Sequence, residues 1–405
     1  MRNKIIKELI KLETKRQNTG IELIASENYP SKDVREAAGS ILTAKYSEGY
    51  PNKRYYGGCE YIDRVEQYAI DKACELFGCK YANVQPHSGS QANFAAYHAL
   101  MPKGGSVLTM CLNDGGHLSH GSNVSFSSQI YEFHFFPLGE DGKINYDWVE
   151  ECALKFHPNV ILTGYSAYPY KIDFKKFKEI ADKVDAYLMV DMAHIAGLVA
   201  AGFHDNPCIY ADIVTSTTHK TLRGTRGGLI LTNRDDLAKK IDSAVFPYTQ
   251  GGGLQHIIAA KGIGFDEALQ PSFKQYIADV LNNTKICSRT LKDCGAIVTG
   301  TDTHLFLLNT LDSYGLTGID AQLKLEEIGI TTNKNMIPGD KLKPSQTSGL
   351  RIGFAAITTR GCSGIDAHIL GKLIHRYLKN EISKENAVKV VKNISKTLKK
   401  IENIS

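Results

Sequence analysis

The residues of this chain best suited to chemistry are a lysine, an aspartate and a serine–glycine turn, each placed where a short apolar run ends. Lys220 lies in Thr217-Thr-His-Lys-Thr-Leu, just after the run Ile213–Thr215 and ahead of Gly224 and Gly227-Gly228. A lysine held in such a loop loses water, its proton affinity falls, and its amine becomes nucleophilic. Asp191 stands 29 residues earlier, at the end of Tyr187-Leu-Met-Val. A carboxylate there is costly unless paired, and a protonated heterocyclic nitrogen is a fitting partner; a helix N-cap is the plainer one. Ser88-Gly-Ser-Gln-Ala-Asn follows the run Tyr81–Val84 and opens a helix. Its free backbone N–H groups and hydroxyls suit a phosphate, while capping by Ser90 is the simpler reading. An anion cradle, an aspartate and a lysine on successive strand ends make up the minimum kit for pyridoxal phosphate.

Other groups are weaker when taken singly. His117-Leu-Ser-His120 has no carboxylate at ligand spacing, so no metal is expected, and a flat imidazole such as His117 suits stacking on an aromatic ring. Arg351, in Thr347-Ser-Gly-Leu-Arg-Ile-Gly, offers a fork for a substrate carboxylate or an interdomain salt bridge. Glu48, in Tyr46-Ser-Glu-Gly-Tyr, is a carboxyl among tyrosines whose surroundings suit acid–base work.

The elements that must position these residues alternate. Between residues 61 and 270, amphipathic helical stretches separate the apolar runs Tyr81–Val84, Val107–Met110, Val160–Thr163, Tyr187–Val190, Ile213–Thr215 and Leu229–Leu231. Short runs buried on both faces predict a mostly parallel sheet between helices, an α/β fold. In open α/β sheets ligands gather beyond the carboxyl ends of strands, so Ser88, Ser166, Asp191 and Lys220 should converge. Residues 1–60 read as an N-terminal arm, opening with an amphipathic helix over 1–18. Residues 61–270 read as a large cofactor-binding domain. Residues 271–405 read as a smaller α/β domain, with helices over Ser272–Lys292 and Glu385–Ile401 and strands at Ala296–Thr299, Leu305–Leu308 and Leu350–Phe354.

Composition narrows the class. Of 405 residues, 42% are hydrophobic and 22% charged, an ordinary globular balance. The net charge of +5 gathers partly in the run Lys384–Lys400, read as a solvated helix face rather than a nucleic-acid surface. Nine cysteines without a C-x-x-C pair argue against a disulfide framework and fit a reducing cytosol. The first residues lack an apolar signal region and no stretch reaches a membrane span, so a soluble cytoplasmic protein is expected.

The chain also resembles the serine hydroxymethyltransferases, pyridoxal-phosphate enzymes of fold type I. The likeness runs through Ile21-Glu-Leu-Ile-Ala-Ser-Glu-Asn28, Tyr46-Ser-Glu-Gly-Tyr-Pro51, Lys53-Arg-Tyr-Tyr-Gly-Gly58, Gln85-Pro-His-Ser-Gly-Ser-Gln-Ala-Asn93, Gly115-Gly-His-Leu118, Val190-Asp-Met-Ala-His194, Thr217-Thr-His-Lys220 and Thr347-Ser-Gly-Leu-Arg351. It implies conversion of L-serine and tetrahydrofolate to glycine and 5,10-methylenetetrahydrofolate by Cα–Cβ cleavage. Lys220 then carries the cofactor as a Schiff base, Asp191 pairs with the ring nitrogen, and His117 stacks on the ring. Ser88, Gly89, Ser90 and His219 hold the phosphate, with Tyr46 and Gly252 coming from the partner subunit of a homodimer. Ser166 and His194 sit near the ring oxygen, and Ser26, His194 and Arg351 take the amino-acid carboxylate. Glu48 is the acid–base group, with Tyr55 and Tyr56 beside it and also supplied by the neighbour. Lys220, Glu48, His219 and Tyr56 form the catalytic set. Leu112, Gly116, His117, Leu118 and Asn335 look like folate positions, and the segment Lys343, Pro344 and Ser345 joins them. Ser345, where the family has Phe, and Phe354 attach a second reading to the scaffold: a folate-independent aldolase or transaldolase acting on β-hydroxy amino acids.

Overall fold

The computed structural model describes residues 3–405. They form two compact units: residues 33–274, and a second assembled from residues 3–32 with residues 275–405. The sequence reading drew its boundaries after residues 60 and 270. In the structure the second division falls inside the long helix Pro271–Asp293, and the first falls within the N-terminal arm.

Seven strands organise the Asp33–Lys274 unit: β1 (Tyr81–Asn83), β2 (Ser106–Met110), β3 (Glu132–Phe136), β4 (Val160–Thr163), β5 (Tyr187–Asp191), β6 (Ile213–Thr217) and β7 (Gly228–Thr232). Their order is β1-β7-β6-β5-β4-β2-β3. All neighbours from β6 to β3 pair parallel, and β7 runs antiparallel to both β6 and β1. Since β7 reverses against both, β1 points the same way as β6. The ends of β1, β4, β5 and β6 therefore share one edge of the sheet, where ligands gather in this architecture.

The strands are apolar because both faces are covered: β4, β6 and β7 are buried at every position. Helix Gly89–Leu100 packs on one face through Ala92, Ala95, Ala96 and Tyr97, in one core with Val107, Val160, Leu162, Met189, Ile213 and Ile230. Three alanines on that face let the helix approach closely, and this seats its first turn against β6. Strand β3 was not expected. It is an edge strand whose Glu132 and His134 interrupt the apolar pattern.

In the second unit, four antiparallel strands lie in the order Ile297–Val298, Leu305–Asn309, Gly349–Gly353, Asn333–Asn335. A two-residue strand, Ile21–Glu22, pairs parallel with Ile330–Thr331. The core includes Ile21, Leu23, Phe306, Leu308, Leu350, Ile352, Ile374 and Val391. The expected C-terminal helix ends at Thr397, short of Ile401, which begins a separate turn. Among the described residues no helix is long and apolar enough to cross a membrane.

Candidate active site

The turn after β1 is the first part of the site. Ser88, not Ser90, caps the helix: its extended backbone places Oγ to accept the Gln91 N–H at 3.3 Å. Gly89 and Ser90 thus lie in the first turn, where backbone N–H groups have no partner within the helix and the helix dipole favours an anion. Gly89 is pressed against β6, and a Cβ there would lie 2.6 Å from Thr217 Cγ2. Thr217 Oγ1 and His219 Nδ1 are buried beside this turn without a hydrogen-bond partner among the described residues. Burial first, then the charges of Lys220 and Arg226, push His219 down to about 3, so its imidazole is neutral.

Asp191 ends β5 and is buried. Its Oδ1 accepts from Ala193 N at 3.0 Å, closing a local turn rather than capping a helix. Its Oδ2 accepts from Asn93 Nδ2 at 2.9 Å and His120 Nε2 at 3.1 Å. Burial acts to raise its pKa. The His120 hydrogen bond, with charge from His120, His117 and Lys220, outweighs that and holds the carboxyl well below the usual carboxylate range. The ring assignment is consistent, because His120 Nδ1 accepts from His117 N and leaves Nε2–H as the donor.

A relay extends from here. Asn93 Nδ2 also reaches Ser119 Oγ at 2.9 Å, and Asn93 Oδ1 accepts from Thr215 Oγ1 at 2.6 Å. Ser119 Oγ lies 2.8 Å from His117 Nδ1, which also accepts from Ser119 N. Ser119 thereby fixes His117 beside His120, the two rings standing edge to face at 5.5 Å. Sequence reasoning weighed His120 only as half of a poor metal pair. A buried aspartate needs donors, and that requirement is the signal that could have found it.

Lys220 is buried in a pinned loop. Arg223 N donates to Lys220 O, Gly224 N to Thr218 O, and Thr221 Oγ1 to His194 O at 2.9 Å. That last bond ties the Lys220 loop to the buried His194 after β5. Ser166, after β4, is set by its N–H donating to Gly115 O at 2.8 Å, which draws the Gly115–Leu118 loop inward. Gly116 has no room for a side chain, since a Cβ would lie 2.6 Å from Met110 O. Leu112 and Leu118 remain exposed on this loop.

Glu48, Tyr46, Tyr56 and Gly252 form a second cluster in the same unit. Arg54 Nη1 donates to Ser47 O and Gly49 O, the carbonyls on either side of Glu48. Gly49 has φ 90°, and a Cβ there would lie 2.3 Å from Lys53 O. Tyr46 and Tyr56 meet edge to face at 5.4 Å, and the Glu48 charge raises the Tyr46 pKa. Gly252 packs beside the Glu48 backbone, and its carbonyl lies 3.4 Å from His87 Nε2. Tyr46, Tyr55 and Tyr56 are 59%, 75% and 48% exposed.

In the other unit, Arg351 occupies the middle of a fully buried strand, opposite Asn333. Its Nε donates to Asn333 Oδ1 at 3.2 Å and its Nη2 to Ser26 Oγ at 3.3 Å. Burial lowers its pKa to about 10, so the guanidinium stays charged. Gly353 makes the Ser26 contact possible: its Cβ would lie 2.5 Å from Ala25 Cα. Asn335 donates to Met336 O at 2.6 Å, whereas Lys343, Pro344 and Ser345 lie in an exposed stretch whose ends Asp340 gathers through Leu342 N and Ser348 N.

The Asp33–Lys274 groups suit a ligand with three features. An anion fits the Gly89–Ser90 amides and the unused atoms of Thr217 and His219. A protonated ring nitrogen fits the ionised Asp191, and an electrophilic carbon fits Lys220. The family model for serine hydroxymethyltransferase matches residues 1–374. A serine hydroxymethyltransferase of Lactobacillus johnsonii is 55% identical over 371 residues, covering 91% of this chain and 90% of the relative.

Proposed function

The chain belongs to the serine hydroxymethyltransferase family, and on that premise we propose that it interconverts L-serine plus tetrahydrofolate and glycine plus 5,10-methylenetetrahydrofolate, using pyridoxal 5'-phosphate. The observation that carries this reading is the ionised, buried Asp191 on the same sheet edge as Lys220 and the Ser88 turn. The close relative's name favours the folate-dependent reaction over the folate-independent aldolase reading.

Bound pyridoxal phosphate supplies an aldehyde for the amino group and a ring that withdraws electrons from the amino-acid Cα. Lys220 is its covalent anchor. Ser88, Gly89, Ser90 and His219 hold its phosphate; neutral His219 does so as a hydrogen-bond donor without adding charge. Asp191 keeps the ring nitrogen protonated, because a carboxylate fixed by His120 and Asn93 is too weak a base to take that proton. His117 would stack on the ring, and Ser166 and His194 would sit near its oxygen. Arg351 and Ser26 would take the carboxylate of serine, a role the family resemblance also gives His194, and would fix the substrate's orientation for cleavage. Glu48 moves the proton at the serine hydroxyl, with Tyr55 and Tyr56 beside it. Leu112, Gly116, His117, Leu118 and Asn335, with the Lys343–Ser345 segment, receive the folate. Leu112 and Leu118 offer it apolar surface.

The working form is a homodimer in which Glu48, Tyr46, Tyr55, Tyr56 and Gly252 serve the neighbouring copy's site. Three exposed tyrosines in one arm support this, as do the exposed Ile5, Ile6, Leu9 and Ile10 of the helix Lys4–Thr19. The location is the cytoplasm. A serine-cleavage assay with and without tetrahydrofolate tests the function. Glycine should form much faster with the folate; equal rates would leave the aldolase reading in its place.

A further inference from the structure

Lys261 lies on the helix Gln255–Ala268 and is 1% exposed. Among the described residues no carboxylate is within ion-pair distance of it. Its Nζ donates instead to three backbone carbonyls: Val84 at 2.6 Å, Gly228 at 2.8 Å and Pro86 at 3.0 Å. Three acceptors match the three N–H donors of an ammonium, whereas a neutral amine has two. Burial draws its pKa down to about 7, and the Glu66 charge opposes that fall. The three carbonyl dipoles oppose it as well, since hydrogen bonds to the charged form favour that form.

The three carbonyls belong to two stretches of chain that the cofactor site needs. Val84 and Pro86 carry the chain from β1 into the Ser88 turn. Gly228 opens β7, where the loop returning from Lys220 ends. The stretches meet at Gly228, whose N–H donates to Pro86 O at 2.9 Å and whose Cβ would lie 2.3 Å from Ser88 O. A Cβ on Gly227 would lie 2.3 Å from Lys261 Cε. Glycine at both positions leaves room for the turn and for the lysine beneath it.

We propose that Lys261 is a positioning residue for the phosphate site: its ammonium clamps the approach to Ser88 onto Gly228 and holds the Ser88–Ser90 amides in place for the anion. The proposal rests on the reading of those amides as the cofactor's phosphate cradle. Its three N–H donors are taken by main-chain carbonyls, so the effect is on the geometry of the amides and on the local potential.

A lysine that merely supported the fold would affect every ligand alike, and this separates the two roles. Full-length Lys261→Met and Lys261→Gln proteins, stripped of cofactor, are titrated with pyridoxal phosphate, with pyridoxal lacking the phosphate, and with inorganic phosphate. Both substitutions should weaken pyridoxal phosphate and inorganic phosphate by about tenfold or more. Pyridoxal, which keeps the ring and aldehyde, should stay within about twofold of wild type. Equal losses for pyridoxal and pyridoxal phosphate would overturn the proposal, as would unchanged affinity for phosphate. Should the methionine variant fail to fold, the glutamine variant, which retains two N–H donors, carries the same comparison. A wild-type protein that does not bind pyridoxal phosphate would instead overturn the functional reading.

Discussion

His120 Nε2 donates to Asp191 Oδ2 at 3.1 Å, and both side chains are buried. The pair makes a charge usable at a place where a carboxyl would otherwise take up a proton. His120→Ala leaves a buried carboxylate with one fewer donor, a loss of about 1–3 kcal/mol. Urea unfolding of the cofactor-free protein should show it. The folded pKa of Asp191 lies below its unfolded value, so its stabilisation is complete above that unfolded value and is lost as pH falls towards the folded one. Asp191→Asn should therefore flatten the decline in unfolding free energy below about pH 4. An unchanged slope would show that Asp191 is not the ionised group.

His219 has the opposite chemistry but the same direction of pH dependence. Its folded pKa of about 3 lies below the ordinary 6.5, so between these values the unfolded chain binds the extra proton. Stability from this residue is complete above pH 6.5 and is lost as pH falls towards 3. The limit is about 1.4 kcal/mol per pH unit, reduced by whatever water reaches the ring. His219→Asn should lose less unfolding free energy than wild type between pH 7 and pH 5. Equal losses would contradict a buried neutral imidazole.

The close approach of Gly89 to Thr217 can be examined with a pair of substitutions. Gly89→Ala adds a methyl 2.6 Å from Thr217 Cγ2 and should cost about 1–3 kcal/mol of stability, with weaker cofactor binding. Thr217→Ser removes the clashing methyl. The double variant should recover most of both losses, and a double-mutant cycle that is simply additive would show that the contact is not what Gly89 protects.

Sharing of Glu48 between copies has a mixing test. Lys220→Ala and Glu48→Gln proteins should each be nearly inactive. Reassembled together, half the dimers are mixed and one site in each mixed dimer has both wild-type residues, so about a quarter of wild-type activity should return. No recovery, with mixed dimers confirmed by a size tag, would mean that Glu48 serves its own chain.

The parts of this fold that could be read from sequence are those where burial and chemistry leave the same mark. The runs Val160–Thr163 and Ile213–Thr215 are apolar because the sheet is covered on both faces, and the observed strands begin at the same residues. Strand β3 and the strand Asn333–Asn335 were hidden because edge positions tolerate polar residues, which erases the signal. Lys220, Asp191 and the Ser88 turn were visible as reactive types at strand ends. Their supports were not: His120 and Asn93 come from different elements, and only the folded chain brings them to Asp191. Lys261 was concealed by its setting, a lone charge in the apolar stretch Ile257-Ile-Ala-Ala-Lys-Gly-Ile-Gly-Phe265. A cation in such a stretch must find acceptors, and here they are main-chain carbonyls that no sequence pattern records.

The pairing of Ile21–Glu22 with Ile330–Thr331 bears on how the molecule is made. As the chain leaves the ribosome, Ile21 emerges about 300 residues before Ile330, the residue it pairs with on the edge it docks against. Until then the apolar residues Ile21 and Leu23, which end in the core, have nowhere to bury. The Asp33–Lys274 unit, by contrast, has its whole sheet available before that point and can assemble first. The nascent protein thus has a long interval in which an early sticky segment must be shielded, and closing so wide a loop makes that last docking step slow.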